Sequence, residues 1–199
     1  MGRGRPKNTG ARRAQIVDGL LDVISERGYE RASIAAIAGA AGLAPGLVHY
    51  HFKTKQAVLV ALAERLVESL EARYDAGQAV DDPAAHLDAF IDAHLAVGEA
   101  ADPRAVAAWV VVGAESVRQP EVRDVYAAAI TRRLATLQTL CAACLRQGQG
   151  SAHGASAAAA SILAAIEGAF TIAVAAPGAI PPGTAAPTVR KMARAIVVA

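Results

Sequence analysis

The sequence predicts an all-α chain of 199 residues. Alanine-rich segments dominate, and alanine costs least in a helix. Apolar residues recur at three- and four-residue spacing between turn signals, the mark of helices with one buried face. No alternating apolar and polar run bounded by turn residues occurs, so no strand is expected.

Residues 1–10 hold Gly, Arg and Pro and read as a flexible basic arm. Within it, Arg3-Gly4-Arg5-Pro6 is similar to the core of an AT-hook, whose thin backbone lets arginines such as Arg3 and Arg5 enter a narrow minor groove. The first helix is expected over residues 11–27, with Ile16, Leu20, Val23 and Ile24 as its buried stripe and Gly28 ending it. Ser33 supplies an N-cap oxygen for a second helix, whose inner face is Ile34, Ile37, Ala38 and Ala41. Gly42-Leu43 makes a turn, and Pro45 suits the first turn of a short third helix. Two short helices joined by a glycine-containing turn form a helix-turn-helix, whose second helix lies in a DNA major groove.

Thr54 caps a long fourth helix reaching residue 74 or 76, with Leu59, Leu62, Ala63, Leu66 and Leu70 as its stripe. Further helices are expected over residues 86–98, 103–118, 121–147, 155–176 and 185–198, separated by Pro- and Gly-bearing breaks. The expected domains are the arm (1–10), a DNA-binding domain (11–55) and a helical body (56–199).

Charge divides the same way. Residues 1–55 hold nine basic and four acidic side chains, whereas residues 56–199 hold eleven basic and fourteen acidic. A basic front on a mildly acidic body fits a polyanion at the front only. No signal peptide is read from the N-terminus. Residues 155–176 come nearest to a membrane span, but Glu167 interrupts them, and burial in a core or a dimer is the better reading. Two cysteines give no disulfide framework, and a cytoplasmic location is expected.

Ser33 stands at a helix N-terminus, where its hydroxyl and neighbouring N–H groups can meet a phosphate as well as cap the helix. Pro45, Gly46 and Leu47 lead the third helix: Gly46 lets the backbone come close, and Leu47 reaches a thymine methyl. None of the three makes a bidentate contact, so shape and apolar readout are expected to carry much of the specificity. His49, Tyr50, His51 and Lys55 are the expected phosphate contacts, while Val48 and Phe52 point inward. His49 and His51, two residues apart, face different sides of a helix, and no metal site is expected. Cys141 and Cys144 admit a redox reading, but mid-helix geometry strains a disulfide and buried packing is favoured.

These residues resemble the TetR family of transcriptional repressors over about residues 11–60. The resemblance rests on Ile16…Gly28, Ser33…Ile37-Ala38…Ala41-Gly42-Leu43 and Tyr50-His51-Phe52-Lys53-Thr54-Lys55…Leu59. Two positions depart from the family pattern: Ala44, where Ser or Thr often opens the recognition helix, and His49, where an aromatic often touches phosphate. In the body, Trp109…Pro120 and Ile166-Glu167-Gly168 are similar to the choline/betaine-responsive subgroup. The resemblance implies an N-terminal three-helix DNA-binding domain and a C-terminal six-helix domain for ligand binding and dimerisation. It also implies a homodimer whose last two helices per subunit form a four-helix interface.

Expected pocket residues are Phe90, His94, Trp109, Tyr126, Cys141, Glu167 and Phe170. Glu167 needs a partner if buried, and Arg132, Arg133 or a cationic ligand group can supply it. Small residues on the apolar helix (Ala157, Ala158, Ser161, Ala164, Ala165 and Gly168) permit close packing and are expected at the dimer interface, with Ile196 and Val197. The function expected is a homodimeric repressor released from a palindromic double-stranded DNA operator by a small-molecule effector. The partners implied are DNA, the effector and a second copy, with no membrane and no cofactor. A DNA-binding protein whose body only dimerises is an alternative. So is an enzyme built on the body's histidines and acids, although no catalytic triad order, phosphate loop or metal motif appears.

Overall fold

The computed structural model describes residues 7–76, 82–95, 102–148 and 152–198. Among them are nine α-helices: α1 (Lys7–Arg27), α2 (Ile34–Ala40), α3 (Pro45–His51), α4 (Lys55–Ala76), α5 (Pro83–His94), α6 (Pro103–Ser116), α7 (Pro120–Gln147), α8 (Ala155–Ala175) and α9 (Ala185–Val198). A 3-10 turn spans Ala152–Gly154, and no strand occurs among the described residues. The all-α class is as expected.

Some bounds move for local reasons. Helix α1 begins at Lys7, inside the segment read as an arm, while Arg3 and Arg5 lie outside the described residues. Helix α5 starts at Pro83 rather than residue 86, because the Asp82 carboxylate accepts from the Ala84 and Ala85 N–H groups at 3.4 and 3.2 Å. It ends at His94, four residues before the expected stop.

The chain divides into two compact units. The first takes the described residues up to Leu66 together with Pro103–Tyr126. Its core includes Ile16, Leu20, Ile37, Val48, Val58, Leu59 and Leu62, each fully buried. Burying one such side chain contributes about 2 kcal/mol before entropy is counted. Helix α6 packs on α1, and Arg104 donates to Asp22 at 2.8 Å. The compact units therefore do not divide at the expected 55/56 boundary: α6 completes the unit that holds the helix-turn-helix, and no local pattern announces that long-range pairing.

The second unit takes the described residues of Val67–Asp102 and Ala127–Ala199. Here α9 packs on α8 and α5. Arg190 donates to Asp92 at 2.5 Å, and Arg194 pairs with Asp88. Helix α8 is long and apolar enough to cross a membrane by length and composition, with mean hydropathy 1.8. In this unit Ala158, Ala159, Ile162, Leu163, Ile166 and Phe170 form its buried face.

That packing corrects part of the expected interface. Ala158 and Val197 are buried inside their own unit at 3 and 4 % exposure, so neither presents a surface. Ala157, Ser161 and Ala164 are exposed, and Ala165 and Gly168 are half-buried. Ile196 is exposed, as are Ile172, Val174 and Met192, large apolar residues absent from the expected set.

Candidate functional site

The first unit carries a helix-turn-helix. Helix α2 starts where the Ser33 hydroxyl accepts from the Ala36 N–H at 3.1 Å. Gly42 takes φ +63°, the left-handed conformation that lets the chain turn out of α2. The Leu43 N–H donates to Ala38 O at 2.9 Å and closes that turn. Helix α3 begins at Ala44 without a side-chain cap, with Pro45 at its first position.

Val48 and Phe52 anchor α3 at 0 and 2 % exposure. Their burial turns the other face out: Pro45, Gly46, His49 and Tyr50 are exposed, Tyr50 by 73 %. Leu47 and His51 are half-buried. The exposed face offers an aromatic hydroxyl, an imidazole and an open backbone. Those groups can meet phosphate and the groove wall, but they include no bidentate donor to a base.

Lys55 is placed differently from the phosphate contact expected of it. Its Nζ donates to Tyr29 O at 3.1 Å and sits 4.1 Å from the Tyr29 ring centroid. The half-buried stem carries the ammonium back across the fold, where a carbonyl and a π-face hold it.

Three supporting residues escaped sequence reasoning. Gln15 donates to Ala41 O at 2.6 Å, pinning the end of α2 to α1. Arg13 donates to His51 O at 2.8 Å, and its guanidinium lies 4.0 Å from the Phe52 ring centroid, clasping the end of α3. Gly19 lets α1 and α2 touch: a Cβ there would stand 2.7 Å from Ile37 O. Glycine inside a helix is costly, and that cost was the available signal.

The second unit contains a cavity of about 60 Å³, lined by Val67, Leu70, Glu71, Tyr74, Phe90, His94, Ala129, Arg132, Arg133 and Thr136. Of the expected pocket residues, Phe90 and His94 line it. Their rings stack at 4.0 Å, and Tyr74 meets Phe90 edge-on at 5.3 Å. Glu167 contributes indirectly: Arg133 Nη1 donates to its Oε1 at 2.9 Å. The pair is largely buried, with side-chain exposures of 9 and 23 %. Arg132 pairs instead with Glu71 at 3.1 Å. Among the described residues no cluster of three or more His, Cys, Asp or Glu is placed to hold a metal.

Four expected pocket residues lie elsewhere. Trp109 and Tyr126 belong to the first unit, where the buried Trp109 ring packs against the half-buried Tyr126 ring at 5.0 Å. Cys141 and Phe170 are buried but do not line the cavity. Burial, with Cys144 alongside, pushes the Cys141 thiol up to about 11. Both thiols are free and buried, the environment that the packing reading expects.

His94 is the unusual member of the cavity. It is 5 % exposed, and Nδ1 lies 2.7 Å from Phe90 O. A carbonyl only accepts, so Nδ1 carries the proton and Nε2 is left with a lone pair. Nε2 is buried without a partner. Burial first, and then the nearby Arg133, hold the His94 pKa down to about 3. The ring is therefore neutral at ordinary pH.

Comparison with known proteins fits both regions. Residues 16–62 match the tetR family of bacterial regulatory proteins, and residues 83–198 match the C-terminal region of BetI-type transcriptional repressors. The HTH-type transcriptional regulator BetI of Ectopseudomonas mendocina (strain ymp) is 32 % identical over 115 residues, 56 % of this chain and 58 % of that protein. The matched stretch thus spans little more than half the length of that relative. A transcriptional regulator from Rhodococcus sp. Rha1 has the same fold, with TM-score 0.80 and 24 % identity over 93 % of this chain and 95 % of that one. A regulator from Saccharomonospora viridis, solved in complex with choline, superposes with TM-score 0.78 and 23 % identity over 94 and 96 % of the two chains. With a matching family model across more than half its length, the chain belongs to the TetR family, with a BetI-type repressor C-terminal region.

Proposed function

We propose that the chain is a homodimeric transcriptional repressor that leaves a palindromic operator when a small molecule occupies the second unit. The outward face of α3 supports this most directly, since its buried anchors Val48 and Phe52 turn Pro45, Gly46, His49 and Tyr50 toward solvent. Two copies would place their α3 helices in successive major grooves about one helical turn apart. Ser33, His49, Tyr50 and His51 hold phosphates in this reading, with Arg3 and Arg5 in the minor groove. Leu47 and the Gly46 backbone approach base edges. Lys55 braces the fold through Tyr29. The exposed α8 and α9 residues Ala157, Ser161, Ala164, Ile172, Met192 and Ile196 form the dimer seam, which accounts for apolar side chains left in solvent. Covering them in a dimer, rather than in lipid, keeps the protein cytoplasmic and off the membrane.

The cavity and its unpartnered His94 Nε2 favour an effector over a body that only dimerises. The likeness to the Saccharomonospora viridis regulator, solved with choline, supports a small molecule in the body. Tyr50→Ala tests the DNA face. In anisotropy titrations across salt concentrations it is expected to weaken specific and nonspecific DNA alike, by roughly tenfold, and to flatten the salt dependence. A change in sequence preference with unchanged salt slope contradicts the phosphate role.

A further inference from the structure

Two imidazoles stand on the helix read as meeting DNA. His49 and His51 belong to α3, whose anchors Val48 and Phe52 are buried. His49 is exposed. It follows Pro45 by four residues and Gly46 by three, so it shares their presented face. His51 is half-buried at the helix end. The fold holds it through its backbone, whose carbonyl accepts from Arg13 Nη1 at 2.8 Å. Its ring meets Tyr50 edge-on, with centroids 5.1 Å apart.

The helices packed on α3 leave these rings without a free carboxylate. They are α1 and α2. Helix α2 has no titratable side chain, and α3 has none besides His49, Tyr50 and His51. Helix α1 brings the cations Lys7, Arg12, Arg13 and Arg27. Its acids Asp18, Asp22 and Glu26 are each paired, with Arg65, Arg104 and Arg27. Past the end of α3 come Lys53 and Lys55, the latter turned to Tyr29. Bound DNA would therefore bring to this face the anions that the chain itself does not supply.

We propose that DNA binding takes up protons at His49 and His51, so that mild acid tightens the chain on its DNA. This rests on the phosphate-contact reading above and adds a regulatory input to it. Histidine is the side chain that ordinarily changes charge between pH 5 and pH 8. A neutral imidazole has one donor and one lone pair, and the lone pair offers nothing to a phosphate; an imidazolium donates from both nitrogens. A phosphate beside the ring favours the charged form. The complex then holds more protons than the free protein, and affinity rises as pH falls through that range. Stability lost through buried His94 runs the other way, so the two effects of acid are separable by what is measured.

The full-length chain and a double variant, His49→Gln with His51→Gln, are titrated with a rhodamine-labelled duplex of mixed sequence at pH 8 and at pH 6, each over a range of salt. The parent is expected to bind about tenfold tighter at pH 6 than at pH 8. Its salt dependence should also be steeper at pH 6, because each imidazolium on a phosphate releases a further counterion. The double variant keeps polar side chains of similar reach and should lose both the acid gain and the steepening. In the parent, the ring resonances of His49 and His51 should titrate at higher pH with duplex bound than without it, a readout that does not depend on the variant folding. A double variant that keeps the acid gain, a parent whose affinity is flat or falls from pH 8 to pH 6, a salt slope that ignores pH, or rings that titrate alike with and without duplex each overturns the proposal. A parent that binds no duplex at either pH overturns the DNA reading itself, and this proposal with it.

Discussion

Polar atoms beside the turn and beside the cavity are disposed of in opposite ways, although the first unit also buries the Tyr29 hydroxyl and Gln119 Oε1 without a partner. In the helix-turn-helix unit Gln15, Arg13, Lys55 and Ser33 each give a hydrogen bond to, or accept one from, the backbone beside the turn or the flanking helices. The exposed face of α3 is thereby held in one shape before DNA arrives. In the other unit a buried ring nitrogen of the cavity-lining His94 has no partner. A preformed surface suits a partner of fixed geometry such as duplex DNA. An unmet hydrogen bond suits a ligand that shifts a population, since only differential affinity can move an equilibrium.

The largest effect should come from breaking the buried pair behind the cavity. Glu167→Ala leaves Arg133 buried without its carboxylate and is expected to cost about 3 kcal/mol in urea unfolding. A loss below about 1 kcal/mol would mean that water reaches the guanidinium.

The tight approach of α1 and α2 is tested next. Gly19→Val puts a Cβ 2.7 Å from Ile37 O and 3.0 Å from the Ala41 backbone nitrogen. It is expected to cost about 2 kcal/mol and to weaken DNA binding with it. Gly46→Ala is the control on the outward face, because its Cβ meets nothing within 4 Å. It should leave stability within about 0.5 kcal/mol of the parent while still lowering operator affinity. Equal stability losses in the two variants would erase the distinction between a packed face and a presented one.

A smaller effect separates the units by pH. The folded His94 pKa, near 3, lies below its ordinary value of 6.5. Between those values the unfolded chain binds a proton that the folded chain refuses, so stability falls as pH drops through that window. The slope from one group is about 1 kcal/mol per pH unit. His94→Gln should remove that slope between pH 6 and pH 5, as read by unfolding at each pH. A slope unchanged by the substitution assigns the acid sensitivity to other groups.

Much of the helical order was legible because caps and apolar periodicity are local. Val48 and Phe52, four residues apart, could be placed inward from spacing alone, and both are buried. What was not legible depends on which distant segment a side chain meets. Trp109 and Tyr126 are as suited to a cavity wall as to packing on each other, and only the pairing of α6 with the start of α7 decides for the latter. Lys55 reads as a cation near DNA until Tyr29 appears beneath it. Ala158 and Ala157 are neighbours with the same side chain, yet one packs inward and the other faces out. Tyr74 carried no signal as a cavity residue, since it sits at the end of the fourth helix, beyond the stripe that stops at Leu70.

Selection of bound fragments from a random DNA pool tests the central claim most directly, because it demands both a DNA face and two-fold pairing. The account predicts enrichment of a near-palindrome whose half-sites are about one helical turn apart. It also predicts that Tyr50→Ala lowers the yield of bound DNA while enriching the same near-palindrome, and that Gly46→Ala weakens the enrichment itself. A pool with no enriched palindrome, or a Tyr50→Ala variant that enriches a different sequence, contradicts it.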